Sequence, residues 1–157
     1  MRAVVQRVTS SSVTVDGKIV GEIGKGLNVL IGVTHGDTEK DADYITDKVL
    51  GLRIFEDENE KMNLSLLNLA ARGENVGVLG ISQFTLYGDC RHGKRPAFTE
   101  AEAPDAAKAL YDYCMEQFEK KSLPNIKIAR GIFRADMQVV INNDGPVTLL
   151  LDSGKNF

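Results

Sequence analysis

The sequence NNDGPVT, at residues Asn142–Thr148, separates two stretches that are typical of β-strands, Ala135–Ile141 before it and Thr148–Leu151 after it. A proline donates no ladder hydrogen bond, so we expect the backbone to leave the sheet at Pro146. The residues before it tolerate positive φ, and Gly145 lets another molecule approach the main chain closely. On these residues alone, the stretch is either a turn between two strands or a main-chain element presented to a ligand.

The rest of the chain predicts one α+β domain that spans residues 1–157. Amphipathic spacing predicts a helix over 39–52 and a second helix that starts at Pro104. Asp16-Gly17 is a tight hairpin signal. Strands are predicted at 3–8, 12–15, 19–23, 27–33, 53–55, 76–87, 126–129, 137–141 and 147–151. Many hairpin-linked strands with two main helices indicate a curved, mainly antiparallel, barrel-like sheet.

The composition is typical of a globular protein and argues against several functional classes. The chain of 157 residues is 43% hydrophobic and 26% charged, and no apolar run approaches the roughly 20 residues of a membrane span. The first residues lack signal-peptide features, and Cys90 and Cys114 form no disulfide framework, so we expect a cytoplasmic protein without membrane contact. The net charge of −3 argues against binding along a nucleic-acid backbone, so any RNA contact should be local.

A second motif, SQFTLY at Ser82–Tyr87, ends the predicted strand 76–87. A hydroxyl and neighbouring backbone N–H groups at a strand end can hold a carbonyl or a developing oxyanion. Thr85 could act as a nucleophile only with a base nearby, and the motif contains none. The motif is therefore either a buried strand, with Phe84 and Leu86 packed on one face, or part of a ligand site.

The usual signs of a nucleophilic triad or a metal centre are weak. The two histidines are His35 and His92; there is no G-x-S-x-G elbow, and neither histidine is followed in the sequence by an evident carboxylate to orient it, although a carboxylate distant in sequence could do so. Cys90 and His92 offer two metal ligands without a second pair at zinc spacing. We therefore expect no metal and no cofactor.

Several ordered motifs together resemble one family, the D-aminoacyl-tRNA deacylases. They are MRAVVQRV at 1–8, RIFEDE at 53–58, KMNLSL at 61–66, SQFTLY at 82–87, DMQV at 136–139 and NDGPVT at 143–148. The similarity covers nearly the whole chain. It implies a metal-free hydrolase that cleaves the ester bond of D-aminoacyl-tRNA, and of glycine mischarged on other tRNAs, and releases the free tRNA and the amino acid.

The implied substrate explains the missing base. An ester on the 3′ end of tRNA has a ribose 2′-OH beside it, so the RNA can assist its own hydrolysis while the protein positions and stabilises the reacting groups. In the family, the SQFT segment holds the terminal adenosine and the ester. The resemblance therefore assigns the catalytic site to Ser82, Gln83, Phe84 and Thr85.

The resemblance also gives Gly145-Pro146 a function. L- and D-aminoacyl groups present the same amino group and carbonyl, so a third constraint is needed to separate them, and a main-chain wall that clashes with an L side chain supplies it. In the family, a cis Gly-Pro pair forms this wall and enters the site of the other subunit of a homodimer. Arg7 and Met137 match family positions near the wall; without the resemblance they would be a surface charge and a core residue.

The loop that follows SQFTLY carries three fixed positive charges, Arg91, Lys94 and Arg95. Such a run is commonly a solvated loop. Because it directly follows SQFTLY, it is also a candidate for contacts with the acceptor-end phosphates of tRNA. Arg134 stands where the family pattern has a glycine, which leaves the local loop shape open.

Two rival functions fit some of these features. One is a non-catalytic RNA- or nucleotide-binding module that uses the same pocket. The other is a hydrolase of small esters with Thr85 as its nucleophile.

Overall fold

Strand β1, Arg2–Val15, is the central element of the sheet. A computed structural model describes all residues, 1–157. The other strands are β2 (Lys18–Ile23), β3 (Gly26–Gly32), β4 (Phe55–Glu56), β5 (Met62–Leu64), β6 (Val76–Ser82), β7 (Ile126–Arg130) and β8 (Gln138–Asp152). The helices are α1 (Glu39–Gly51), α2 (Leu66–Ala71) and α3 (Pro104–Lys121), and Phe84–Tyr87 forms a 3-10 turn.

The main sheet is mixed and nearly closed. β1 pairs antiparallel with β2, β3 and β8, whereas β3, β6 and β7 run parallel to one another. The strand order is β2-β1-β3-β6-β7, with β8 on the other side of β1. The two end strands approach each other, since a Cβ added at Gly21 in β2 would lie 2.6 Å from the Arg130 carbonyl oxygen in β7. The predicted α+β class and the curved, barrel-like, mainly antiparallel sheet are confirmed.

Two buried clusters fill the molecule. The larger cluster packs one face of the sheet, with Val5 and Val29, against α1 and α3, represented by Ile45 and Phe118. A smaller cluster contains Val8, Val13, Ile23, Leu79, Ile81 and Ala129 from the opposite face, inside the curve of the sheet. No helix has the length and apolar character needed to cross a membrane.

Most predicted elements are confirmed. The predicted hairpin at Asp16-Gly17 forms with φ of 49° and 76°. Thr38 precedes α1, and its backbone N–H donates to the Asp41 carboxylate at 2.8 Å. Helix α3 begins at Pro104 and ends at cationic residues, which favours its dipole. The short helix α2 has no counterpart in the sequence prediction.

Two predictions about strands are wrong. The predicted strand 76–87 ends at Ser82, and FTLY forms the 3-10 turn instead. The two segments around Asn142–Thr148 do not pair with each other, because both belong to β8 and both pair with β1. Asn142–Thr148 is therefore an interruption within one strand and not a turn between two.

Candidate functional site

The SQFT segment lies at the carboxyl ends of the parallel strands. Ser82 is the last residue of β6 and pairs with Ile31 near the end of β3. The backbone N–H of Gln83 donates to the Ile31 carbonyl at 2.7 Å, and the chain then turns at once into the 3-10 turn. The carboxyl ends of parallel strands are a common place for ligands in sheets of this kind.

The side chains of Gln83 and Thr85 contact each other. The Gln83 amide Nε2 donates to Thr85 Oγ1, so the threonine hydroxyl keeps its own proton free for another acceptor. The first amides of a 3-10 turn, here Phe84 and Thr85, have no carbonyl within the turn to bond to. Thr85 is exposed. This group offers hydrogen-bond donors to an ester carbonyl.

Phe84 does not pack in the core as a strand residue would. Its side chain is 58% exposed and meets Phe98 edge to face, with ring centroids 5.1 Å apart. Tyr87, at the end of the turn, is buried. The tight turn rotates these side chains, and the exposed aromatic pair gives the site an apolar border.

Arg2 anchors the 3-10 turn to β1. Its guanidinium lies 4.5 Å from the centroid of the Tyr87 ring and donates to the Leu86 carbonyl at 3.1 Å. Burial raises the pKa of Tyr87, so its hydroxyl stays protonated. A cavity of about 750 Å³ opens beside Tyr87 and Gly88, and Ser82, Gln83 and Thr85 do not line it.

His35 has a carboxylate partner that its sequence neighbourhood did not reveal. Its Nδ1 lies 3.2 Å from Glu102 Oε1, and its Nε2 lies 3.0 Å from the Thr99 carbonyl. Glu102 is distant in sequence, so no local motif could have indicated it. Both ring nitrogens face oxygen acceptors, so His35 holds the segment 99–102 in place and does not face a nucleophilic hydroxyl.

Gly145-Pro146 lies in a bulge of β8. The register passes from Gln6 opposite Thr148 to Val8 opposite Asn143, so residues 144–147 loop out of the ladder opposite Arg7. The Gly145-Pro146 peptide is cis, and Gly145 has φ of 117°. The backbone thus leaves the sheet at this point, as the proline predicted.

The side chain of Asn143 closes the base of the bulge. Its Nδ2 donates to the carbonyls of Arg7 and Val147, both at 3.0 Å. Its Oδ1 accepts from Thr148 Oγ1 at 3.1 Å. Asparagine here replaces the ladder hydrogen bonds that the bulge removes.

Arg7 supports the bulge from below. It is only 6% exposed, and its Nη1 donates to the Ile54 carbonyl at 2.7 Å. Its Nε lies 3.0 Å from Asp144 Oδ2 as an ion pair, without the alignment of a hydrogen bond. A Cβ added at Gly145 would lie 3.1 Å from Arg7 Nη2. The surface-charge interpretation of Arg7 is excluded by this burial.

The structure does not bring all predicted site residues together within one chain. The SQFT segment lies beside Arg2, and Gly145-Pro146 lies opposite Arg7, five residues away along β1, or about 17 Å at the rise of a β-strand. Met137 packs on Gly131 and on the smaller cluster, on the same side of the sheet edge as Ile81, the residue before Ser82.

The basic loop is exposed, and one of its charges is already paired. Arg91 makes two side-chain hydrogen bonds to Asp89, at 2.9 and 2.8 Å. These side-chain bonds, with one from the Arg91 backbone, lower the pKa of Asp89 to about 2. Lys94 and Arg95 are exposed and form no ion pair. Two of the three predicted RNA-contact charges are therefore free.

Comparison with known proteins gives full-length matches. The family model described as D-Tyr-tRNA(Tyr) deacylase matches residues 4–152. Proteins named D-aminoacyl-tRNA deacylase from Clostridium botulinum (strain Eklund 17B / Type B) and Clostridium beijerinckii are 61% and 59% identical to this chain over 157 residues, each covering 100% of both chains.

Solved structures share the same fold. One, named c-Myc DNA Unwinding Element Binding Protein, has a TM-score of 0.87 at 42% identity and covers 97% of this chain and 98% of its own. Another, described as a probable eukaryotic D-amino acid tRNA deacylase, has a TM-score of 0.75 at 19% identity and covers 96% of this chain and 97% of its own, which shows the fold alone.

Proposed function

The chain belongs to the D-Tyr-tRNA(Tyr) deacylase family, and we infer that it is a hydrolase that cleaves the ester bond of D-aminoacyl-tRNA. The products are free tRNA and the D-amino acid. The observation that carries this conclusion is the 61% identity over the whole chain to a protein named D-aminoacyl-tRNA deacylase. Since aminoacyl-tRNA is a cytoplasmic substrate, we place the protein in the cytoplasm as a quality-control enzyme of translation.

Hydrolysis takes place at the SQFT segment. A water oxygen adds to the ester carbonyl, the C–O bond to the ribose breaks, and the ribose oxygen leaves with a proton. Thr85 Oγ1 and the first amides of the 3-10 turn donate to the carbonyl oxygen as it gains charge. Removing one such donor typically costs about 2.7–4 kcal/mol of transition-state stabilisation. Ser82 and Phe84 form the walls of this site.

The proton acceptor is the substrate's own ribose 2′-OH, which orients the attacking water and relays its proton. The hydrogen-bond partner of Thr85 supports this assignment, because the Gln83 amide donates to the hydroxyl and cannot take its proton. A serine or threonine nucleophile needs an adjacent base to become reactive. The protein therefore acts by positioning and by electrostatic stabilisation.

Gly145-Pro146 excludes L-aminoacyl groups through its main chain. Its support fits this role, because buried Arg7 pairs with Asp144 of the bulge and the half-buried Asn143 closes its base. An L side chain would meet this wall, whereas a D side chain points away from it. A glycyl group has no side chain to clash, so glycyl-tRNA is also cleaved. Met137 lines the floor of the aminoacyl site, opposite the wall that Gly145-Pro146 forms.

The wall acts on the site of a second subunit. Within one chain, it is displaced along β1 from SQFT. The 15-residue strand β8 has one unpaired edge, and on it Val140 and Leu150 are 55% and 59% exposed. A long edge with apolar side chains is normally covered. We therefore assign a homodimer in which Gly145-Pro146 of each chain completes the partner's site.

The basic loop contacts the acceptor end of the tRNA. Lys94 and Arg95 are free to meet phosphates, while Arg91 holds Asp89. The net charge of −3 makes such contacts local, at the CCA end beside SQFT.

A panel of substrates tests the reaction. Purified protein should release tRNA from D-tyrosyl-tRNA and glycyl-tRNA, leave L-tyrosyl-tRNA intact, and act very slowly on D-tyrosyl-tRNA that ends in 2′-deoxyadenosine. Protection of the ester without release would instead favour the binding-module function, which the DNA-binding name of the 42% identical structure also suggests. Unchanged turnover of the 2′-deoxy substrate would exclude the RNA-assisted mechanism.

Mixed dimers test the shared site. Thr85→Val and Gly145→Ala subunits are each impaired alone. If the wall acts on the partner, a mixed dimer has one site with both lesions and one with neither, so it should recover about half of the wild-type rate. If the wall acts within its own chain, both sites carry a lesion, and mixing restores nothing.

A further inference from the structure

We propose that Arg134 binds a backbone phosphate of the tRNA acceptor strand beside the ester site. This inference rests on the proposed function. Arg134 has an unusual backbone conformation with φ of 63°, a left-handed geometry that side-chain-bearing residues adopt at an energetic cost.

The surroundings of Arg134 impose this conformation. The Ala135 N–H donates to the Ile132 carbonyl at 3.2 Å, which closes a four-residue turn with Arg134 at its third position. A positive φ at that position is the mark of a type II turn, where glycine is favoured. Phe133 packs against Tyr111, with ring centroids 5.9 Å apart, and holds the turn in place. The loop thus keeps the glycine shape although its residue is arginine.

The turn lies at the same edge of the sheet as the SQFT segment. β6 and β7 are neighbouring parallel strands, and the Gly131 N–H, just after β7, donates to the Gly80 carbonyl two residues before Ser82. A Cβ added at Gly131 would lie 3.3 Å from Ile81 Cδ1. The turn that carries Arg134 therefore follows the strand adjacent to the one that ends in the ester site.

No contact within the protein explains why an arginine stands at position 134. It is exposed and takes part in no hydrogen bond or ion pair, unlike Arg2, Arg7 and Arg91. A free guanidinium on a fixed turn matches the bidentate geometry of a phosphate. The substrate brings phosphates to this edge, because the 3′ end of the RNA must enter here for its ester to reach Thr85. Since the protein carries a net charge of −3, a single well-placed cation matters for local binding.

Arg134→Gly is the decisive variant because glycine is the residue that this turn favours. We expect a Tm that is equal or higher, a KM for D-tyrosyl-tRNA that is about threefold to tenfold higher, and an unchanged kcat. The slope of log KM against log salt concentration should fall by about 0.7, the value for one phosphate contact on a single strand. Arg134→Lys should keep most of the wild-type KM.

Two further substrates distinguish a phosphate contact from a distorted loop and from a contact with the amino-acid side chain. Wild type and Arg134→Gly should hydrolyse 3′-O-D-tyrosyl-adenosine, which has no phosphate, at equal rates. Equal losses on this ester and on tRNA would mean a distorted loop and would overturn the proposal, as would an unchanged KM for tRNA. A loss confined to D-aspartyl-tRNA would show a contact with the substrate's side-chain carboxylate and would also overturn it. If the wild-type protein releases no tRNA from any substrate, the proposed function is wrong, and the Arg134 inference, which rests on it, is wrong with it.

Discussion

The two regions proposed to share the reaction, the SQFT segment and Gly145-Pro146, are built in opposite ways. SQFT follows a buried parallel strand and presents side chains, the Gln83-Thr85 pair and the exposed ring of Phe84. Gly145-Pro146 interrupts an exposed edge strand and presents main chain, while the side chains around it turn inward to hold it.

The difference indicates that the two regions have separate roles, charge stabilisation for SQFT and exclusion of L-aminoacyl groups for Gly145-Pro146. Stabilising a developing charge needs donors at one point, and a tight turn after a strand provides them without a charged group. Excluding one enantiomer across many side chains needs a surface that does not depend on side-chain chemistry, and the main chain is such a surface. Substitutions should therefore affect the two regions differently.

Gly145→Ala should have the largest effect. The φ of 117° is a region that L residues rarely adopt, and the new Cβ would lie 2.9 Å from Val147 Cγ2. We expect a loss of about 1–3 kcal/mol in the free energy of unfolding and at least a hundredfold fall in kcat/KM on D-tyrosyl-tRNA. Chemical denaturation and a deacylation assay measure the two effects.

Gly17→Ala is the matched control. Gly17 also has a positive φ, 76°, but a Cβ there meets nothing within 4 Å, and the residue lies in a hairpin turn away from both regions. It should lose comparable stability and keep the wild-type kcat/KM. If both variants lose activity alike, the Gly145 effect is general destabilisation, and the contrast between the two regions disappears.

Thr85→Val should have an intermediate effect. Valine keeps the shape of threonine and removes the hydroxyl, while the main-chain amides of the turn remain. We expect kcat to fall about a hundredfold with little change in KM, because one donor is lost while the others remain. Rapid-quench measurement of kcat distinguishes a donor from a nucleophile at Thr85. The absence of any detectable turnover would identify Thr85 as a nucleophile.

The smallest effects should come from the basic loop. Asp89 remains ionised above its pKa of about 2, so it neutralises Arg91 at every pH near neutrality. Removing the pair with Asp89→Ala/Arg91→Ala should leave the salt dependence of KM unchanged, whereas Lys94→Ala should lower the slope by about 0.7 and raise KM about twofold. Equal slopes for the two variants would show that the loop does not contact RNA.

The sequence predicted most of the fold because its patterns are local. The hairpin at Asp16-Gly17, helix α1 after Thr38 and helix α3 after Pro104 all depend on residues within one turn of the element. The strand assignment of 82–87 was wrong for the opposite reason. Its alternating pattern fits a strand, but a distant residue, Arg2, fixes the chain as a 3-10 turn.

The missed features of the site are also long-range. Whether Asn142–Thr148 is a turn or a bulge depends on whether its flanks pair with each other or with β1. The contact between His35 and Glu102 joins residues far apart in the chain. The left-handed Arg134 follows from how Phe133 packs on Tyr111, not from its own preference. None of these has a signature in neighbouring residues.

Two arginines on β1 each contact one of the two regions. Arg2 donates to the 3-10 turn, and Arg7 forms an ion pair with Asp144 in the Gly-Pro bulge. The separation between their positions is odd, which places the two side chains on opposite faces of one strand. A single inserted or deleted residue between them would exchange those faces and detach one anchor. We therefore expect the number of residues between Arg2 and Arg7 to be invariant during evolution, even where surface loops vary in length.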